Sequence, residues 1–330
     1  MKKKFIKRGT LFLLLPFLLL ASSLFIADGR TDPYYIRFTT PKQNNMIVGS
    51  SRAAQGILPS AIDSILNKGG YHTTMFNYAF TINQSPYGPT YYESIKNKLN
   101  ENAKNGIFIV TVDPWTLYLK EEKENNKIIF PEDNLSLGKI KCVDCHPNFD
   151  YLLYSYSSPL LMIWMTKLLR ILNLEGKESL YLHNDGWLEV SVGMDSTEVQ
   201  KRIRKKIKDL ENEYPSAPDF HLSSDRIYYL NKIIEFFRKH GEVFLVRIPV
   251  HEKIKDIENK VCPQFDSLMN DIARKNSVDY LNFINDSTIY EFTDGNHLYK
   301  DSGHKLSEKI GEFILNKQLQ DNFEETMGSF

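Results

Sequence analysis

The sequence predicts an α/β fold built on a parallel sheet, and three observations carry that expectation. Short apolar runs alternate with helical patterns in the order β-α-β-α-β over residues 44–117. The same alternation returns after residue 220. The chain, at 330 residues, is long enough for one large core or two modest ones.

Each element has its own signal. Met46-Ile47-Val48 is a short apolar run ending in Gly49-Ser50-Ser51, which reads as a buried strand entering a turn. Residues 59–66 read as a helix, with Ile62, Ile65 and Leu66 on one side. Residues 72–80 are rich in β-branched and aromatic side chains and read as strand, and 91–103 read as helix. Gly106 opens "IFIVTV", a fully buried strand that stops at Asp113-Pro114. In the second half, Ile227, Tyr228, Leu230, Ile234 and Phe237 recur at helical spacing within 225–239. Strand 242–248, helix 265–274, strand 278–283 and a closing helix 297–318 complete the pattern.

Residues 118–220 break this rhythm and read as an insertion with its own helices. Within it, 159–174 is strongly apolar but carries Lys167 and Arg170, too short and too charged for a membrane span. It either packs on the core, the commoner outcome, or lies on the membrane surface. Residues 197–214 form a charged helix with Val199, Ile203, Ile207 and Leu210 on a narrow stripe, and the basic cluster reads as a solvated face.

The N-terminus sets the compartment. Lys2, Lys3, Lys4, Lys7 and Arg8 precede a charge-free run over 11–27. A basic head followed by such a run is a secretion signal or an uncleaved anchor. Its length is close to the ~17-residue lower limit for a bilayer span. No clean A-x-A site follows, although Ala21-Ser22-Ser23 leaves cleavage and a secreted form open. The anchor is the preferred reading for 1–27, with 28–43 as a polar connector and 44–330 as the main domain. The basic head belongs in the cytoplasm and the domain outside it, in the periplasm or at the cell surface. Acidic and basic residues balance at 41 each, and no basic, glycine-punctuated RNA-binding signature appears, so nucleic acid is not an expected partner.

The chain has three cysteines. Cys142-Val143-Asp144-Cys145-His146 spells c-type haem attachment, yet the long, strand-rich chain does not otherwise look like a cytochrome. A local disulfide or a pair of free thiols is the better reading, while Cys262 stands alone. Zinc would need further ligands at convincing spacing, and none are evident. No metal or organic cofactor is expected.

Two short stretches carry the chemistry. "DGNHLYKDSGH" places Asp294 three residues before His297, at what reads as the start of the closing helix. Gly49-Ser50-Ser51-Arg52 places a serine in a strand-to-helix turn, at the sheet edge where α/β sites form. Such a serine projects from a tight bend, and the helix behind it favours negative charge. Taken alone, Ser51 is better read as a helix N-cap, and a cap of the closing helix is the alternative reading of Asp294. Together with His297 they make a nucleophile, base and orienting acid.

With "IVGSSRAAQGI" near the front and "DGNHL" near the back, the chain resembles the SGNH, or GDSL-type, hydrolase superfamily. The resemblance covers most of 44–117 and 222–319. It implies a three-layer, flavodoxin-like domain and acyl transfer, with Ser51 as nucleophile, His297 as base and Asp294 as the orienting acid. The Gly-Ser-Ser variant with an anchor and a large insertion is similar to envelope acyl-transfer proteins, among them the D-alanine-transfer protein of teichoic acid modification and the SGNH proteins of alginate O-acetylation. An envelope glycan as acceptor and a membrane-bound O-acyltransferase as acyl donor are implied in turn. A fold retained only to bind glycan or a membrane partner is the alternative.

The oxyanion hole departs from that superfamily's pattern. "FNYAF" follows the second strand, with no glycine before Gly88, and Asp113 stands where a third-strand asparagine is expected. An ionised carboxylate cannot donate a hydrogen bond. Backbone N–H groups near Ser51 and the Asn77 side chain are the candidate substitutes. Arg52 is a second candidate for substrate contact. Arg247, in "FLVRIPVH", is either a binder of substrate carboxylate or phosphate or half of a structural ion pair. Ser50 is expected to support the turn, His304 to lie on the surface, and His251 is unassigned. Trp115, Trp187 and Tyr87 are read as core residues or sugar-stacking platforms.

Overall fold

The structure is a computed structural model that describes residues 2–120, 123–124, 127–172, 174 and 179–328. Met1, parts of the expected 118–220 insertion and the last two residues of the 44–330 domain lie outside the described residues.

Five strands form one parallel sheet: β1 (Asn45–Val48), β2 (Met75–Asn77), β3 (Gly106–Thr111), β4 (Gly241–Arg247) and β5 (Asp279–Asn282). Their spatial order is β2-β1-β3-β4-β5. Parallel neighbours need crossovers, and the helices between the strands supply them. Because side chains alternate across a strand, each strand feeds two cores. Met46 and Val48 of β1, with Phe108 and Val110 of β3, face helices Pro89–Lys98, Ser224–Phe237 and Phe265–Asn276. Ile47, Ile107 and Ile109 face the opposite way, onto helices Ser51–Gly56, Pro59–Lys68 and Lys300–Gly328. This double burial explains why the strands read as continuous apolar runs.

The chain reverses direction across the sheet between β1 and β3, since β2 lies on one side of β1 and all later strands lie on the other. Ligand crevices in such sheets open beyond the carboxyl ends of the strands at this switch point. Ser51 follows β1 there.

Several boundaries differ from expectation. β2 is confined to Met75–Asn77, although the Tyr78 N–H still donates to the Ile47 carbonyl of β1 at 2.8 Å. The closing helix begins at Lys300 instead of 297, so His297 sits in a turn ahead of it. The 28–43 segment is built into the domain. Tyr35 and Phe38 are core residues, and Arg37 donates to the carbonyls of Asn77 (3.1 Å) and Gly186 (2.6 Å). Cys142 and Cys145 are bonded to each other, so neither sulfur is left for a thioether to haem.

At the N-terminus, Lys2–Ile26 is one helix. Its segment Arg8–Ile26 has 19 residues of mean hydropathy 2.3, enough in length and composition to cross a membrane as an anchor or to serve as a signal sequence. The 159–174 stretch forms helix Leu160–Ile171. Ile163 is buried in the core and Leu160 packs against it, while Trp164 ties the helix to the end of the N-terminal helix.

Candidate active site

The β1 turn is shaped by what approaches it. Gly49 has φ +149°, and a Cβ there would lie 1.8 Å from Thr111 Oγ1 of the neighbouring strand. Only glycine permits that approach. Its carbonyl accepts from Ser85 Oγ at 2.7 Å, and its N–H donates to Tyr91 Oη at 3.0 Å. Ser50, at the N-cap position, turns inward and donates to Asp113 Oδ2 at 3.0 Å. Ser51 is then the first residue of the helix.

The second half of the site is a short loop. Asp294 Oδ1 accepts from the backbone N–H groups of Asn296 (3.0 Å) and His297 (2.9 Å). This local turn holds Asp294 and His297 together and replaces the helix-cap role considered for Asp294. Gly295 has φ +84°, with Ile203 and His251 packed against the space a Cβ would take. Thr293 N–H closes the loop on the His297 carbonyl at 2.9 Å.

Packing of the closing helix brings the two halves together. Leu306, Ile310 and Ile314 pack with Ile62 and Leu66. Ser307 Oγ accepts from the Leu58 N–H at 2.8 Å. The loop before that helix is thereby held over the end of β1. His297 Nδ1 donates to Asp294 Oδ2 at 2.9 Å, which leaves Nε2 to accept from Ser51 Oγ, 2.8 Å away. Burial pushes the Asp294 carboxyl up, but the His297 charge, the ring hydrogen bond and the two backbone donors outweigh it. Asp294 is held well below the usual carboxylate range.

The other expected site residues have different placements. Both Asn77 amide hydrogens are spent on the carbonyls of Ala53 (2.8 Å) and Ile57 (2.9 Å), so Asn77 braces the helix behind Ser51 and has no donor left for an oxyanion. Arg247 follows its ion-pair alternative: Nη2 donates to Glu258 Oε2 at 2.9 Å and Nη1 to Asp266. Arg52 also pairs with Glu258, and its Nε and Nη2 donate to Asn296 Oδ1 at 3.1 and 2.6 Å. Arg52 Nη1 is buried with no hydrogen-bond partner among the described residues.

Asn296 and Glu258 were missed from sequence. Glu258 is wholly buried and accepts from Arg52, Arg247 and Trp115 Nε1. Nothing in a lone glutamate on an amphipathic helix announces this. Asn296 carried a signal in its position beside His297. Its Nδ2 lies 3.3 Å from His297 Nε2.

Asp113 is buried, and burial pushes its carboxyl above the usual range despite the nearby Arg52 charge. Trp115 joins a core cluster with Leu210, Phe220 and Ile254. Trp187 stacks on His183 and donates to the Gln55 carbonyl, and Tyr87 is wholly buried. All three are largely buried, and Trp115 also lines the cavity at Ser51. His304 is exposed, 3.4 Å from Glu308, and His251 caps helix Glu252–Val261.

The insertion covers the site. Arg202 Nε, on helix Ser196–Glu213, donates to the Thr293 carbonyl at 2.7 Å. Lys206, Leu210, Glu213 and Tyr214 line one side of a partly open cavity at Ser51 of about 20 Å³, room for about one water. The basic cluster is therefore only partly a solvated face.

The chain matches no protein-family model, and no curated protein matches it. The case for chemistry rests on the residues themselves.

Proposed function

We propose that this chain is an extracytoplasmic serine esterase or O-acyltransferase of the SGNH type, acting on a cell-envelope glycan. The observation that carries the reading is the continuous relay from Ser51 Oγ through His297 to Asp294, with links of 2.8 and 2.9 Å, at the switch point of a parallel sheet. The strand order β2-β1-β3-β4-β5 with helices on both faces supports a flavodoxin-like architecture.

In the proposed reaction, Ser51 Oγ attacks the ester carbonyl while its proton passes to His297 Nε2. Asp294 steadies the imidazolium. The carbonyl π electrons move onto oxygen, then return to expel the alkoxide, which takes the proton from His297. The acyl group remains as an ester on Ser51. A sugar hydroxyl or water then attacks this ester with His297 again as base, freeing Ser51. The Ser51 N–H, which opens its helix and has no intrahelical acceptor, is one candidate oxyanion donor. The Asn296 amide is the other.

The basic head and apolar helix support an anchored domain outside the cytoplasm. A membrane-bound O-acyltransferase is the acyl source suggested by the resemblance. The chemistry requires no metal or organic cofactor.

A second reading, a non-catalytic protein that binds glycan or a membrane partner, is favoured by the small size of the cavity at Ser51 and by Asp113. Labelling with a fluorophosphonate separates the two. The enzyme reading expects covalent modification of the full chain that Ser51→Ala abolishes. An unlabelled wild-type chain, or labelling that survives Ser51→Ala, favours the binding protein.

A further inference from the structure

Helix Leu160–Ile171 presents Leu161, Met162, Met165, Leu168 and Leu169 to solvent, each 40–61% exposed, and Ile171 and Leu172 continue the patch beyond. An apolar face of this extent on a soluble domain marks an interaction surface. Its position in the fold says what covers it. Trp164 Nε1 donates to Ser23 Oγ at 2.9 Å and lies 3.2 Å from the Leu19 carbonyl of the N-terminal helix. Lys167 pairs with Asp28, two residues beyond that helix's end.

These contacts fix a depth. A 19-residue helix at ~1.5 Å per residue is about the thickness of the hydrocarbon core. If Arg8–Ile26 spans the bilayer, Ile26 lies at its outer boundary. By the same rise, Ser23 and Leu19 lie about 5 and 10 Å inside. Trp164 is bonded to both levels, within the ~5–10 Å to which interfacial amphipathic helices sink. Lys167 reaches out to Asp28 at the headgroup level, as a cation on an apolar helix does. An indole at this boundary keeps its ring among acyl chains and its N–H on a polar partner.

We infer that helix Leu160–Ile171 lies in the outer boundary of the lipid bilayer, beside the anchor, and makes the membrane a second point of support for the domain. The inference rests on the anchor reading above. A single span would let the domain swivel. Two contacts joined by Trp164 and Lys167 hold it in one orientation toward the bilayer.

The test uses the full chain reconstituted into phosphatidylcholine vesicles whose acyl chains carry bromine near the headgroup. Trp164 is 38% exposed, whereas Trp115 and Trp187 are 5% and 8% exposed inside the fold. Brominated lipid is expected to quench wild-type fluorescence, and Trp164→Phe is expected to lose most of that quenching. Leu168→Asp, which keeps the indole and alters an exposed position, is expected to reduce it. Alkaline washing of the vesicles tests the anchor separately. Protein that stays bound while Trp164 is unquenched overturns the inference and leaves the anchor standing. Protein that washes off overturns both. A crosslinked pair of chains with unquenched Trp164 assigns the face to a second copy and overturns it as well.

Discussion

Arg52 donates twice to Asn296 Oδ1, and this fixes which way the Asn296 amide faces. The oxygen is held against the guanidinium, so Nδ2 is directed to His297 Nε2, beside the serine hydroxyl. Glu258 binds Arg52 in turn and also binds Arg247, which reaches Asp266. A buried chain of polar groups thus runs from β4 to the edge of the proposed nucleophile. Arg247 is spent on Glu258 and Asp266, whereas Arg52 both holds Asn296 and lines the cavity at Ser51 with its Nη1 unpaired among the described residues.

The first prediction concerns Asn296. If its Nδ2 steadies the oxyanion, Asn296→Ala should lower the turnover of an activated ester by about 10²–10³-fold with little change in KM. Asn296→Asp, which keeps the size but replaces the donor with an acceptor, should do the same. Unchanged turnover in both variants assigns Asn296 a purely structural part.

The buried network should reveal itself in stability. Glu258→Ala removes the carboxylate that two buried arginines share, leaving Arg52 with Asn296 and Arg247 with Asp266. Loss of one partner from such a group costs about 3–5 kcal/mol. Urea unfolding of the variant should therefore shift to a much lower midpoint. Arg247→Ala is expected to lose stability as well, and any labelling of Ser51 that remains should be governed by the folded fraction.

Gly49 is the most constrained backbone position at the site. Gly49→Ala would bring a methyl group into Thr111. Backbone strain alone is of order 1–3 kcal/mol, and the clash adds to it. Pairing with Thr111→Ala should recover part of the loss, because it removes the Oγ1 nearest the new methyl. No recovery would point to the backbone conformation as the sole cause.

Asp113 gives stability a pH dependence of definite sign. Burial raises its folded-state pKa above the unfolded value. The folded chain therefore keeps the proton to higher pH than the unfolded chain does. The stabilisation is fully present below the unfolded value of about 3.9 and is lost as pH rises through the raised one. Asp113→Asn removes this titration while keeping an acceptor for Thr116 N–H, which now binds Oδ1. Its urea midpoint should gain on wild type as pH rises, and a constant difference between the two curves would refute the assignment.

Much of this was legible in the sequence because the signals are local. Val48 and Ile109 sit in short apolar runs that suit strands buried on both faces, and Gly49 before Ser50-Ser51 marks a tight turn. Asp294 and His297 are close enough in sequence for one turn to pair them, so their partnership could be expected without coordinates. The charge-free run after Arg8 declares itself by length and composition alone.

What tertiary structure decided is which remote groups meet. Ser51 and His297 are brought to 2.8 Å because the helix that starts at Lys300 packs along Pro59–Lys68, an outcome of two apolar faces fitting together that neither segment specifies alone. The fates of Asn77, Arg52 and Arg247 were settled the same way. Each is a polar residue carried into the interior, where unmade hydrogen bonds are expensive, so each turned to whichever acceptors the packed backbone and Glu258 placed within reach.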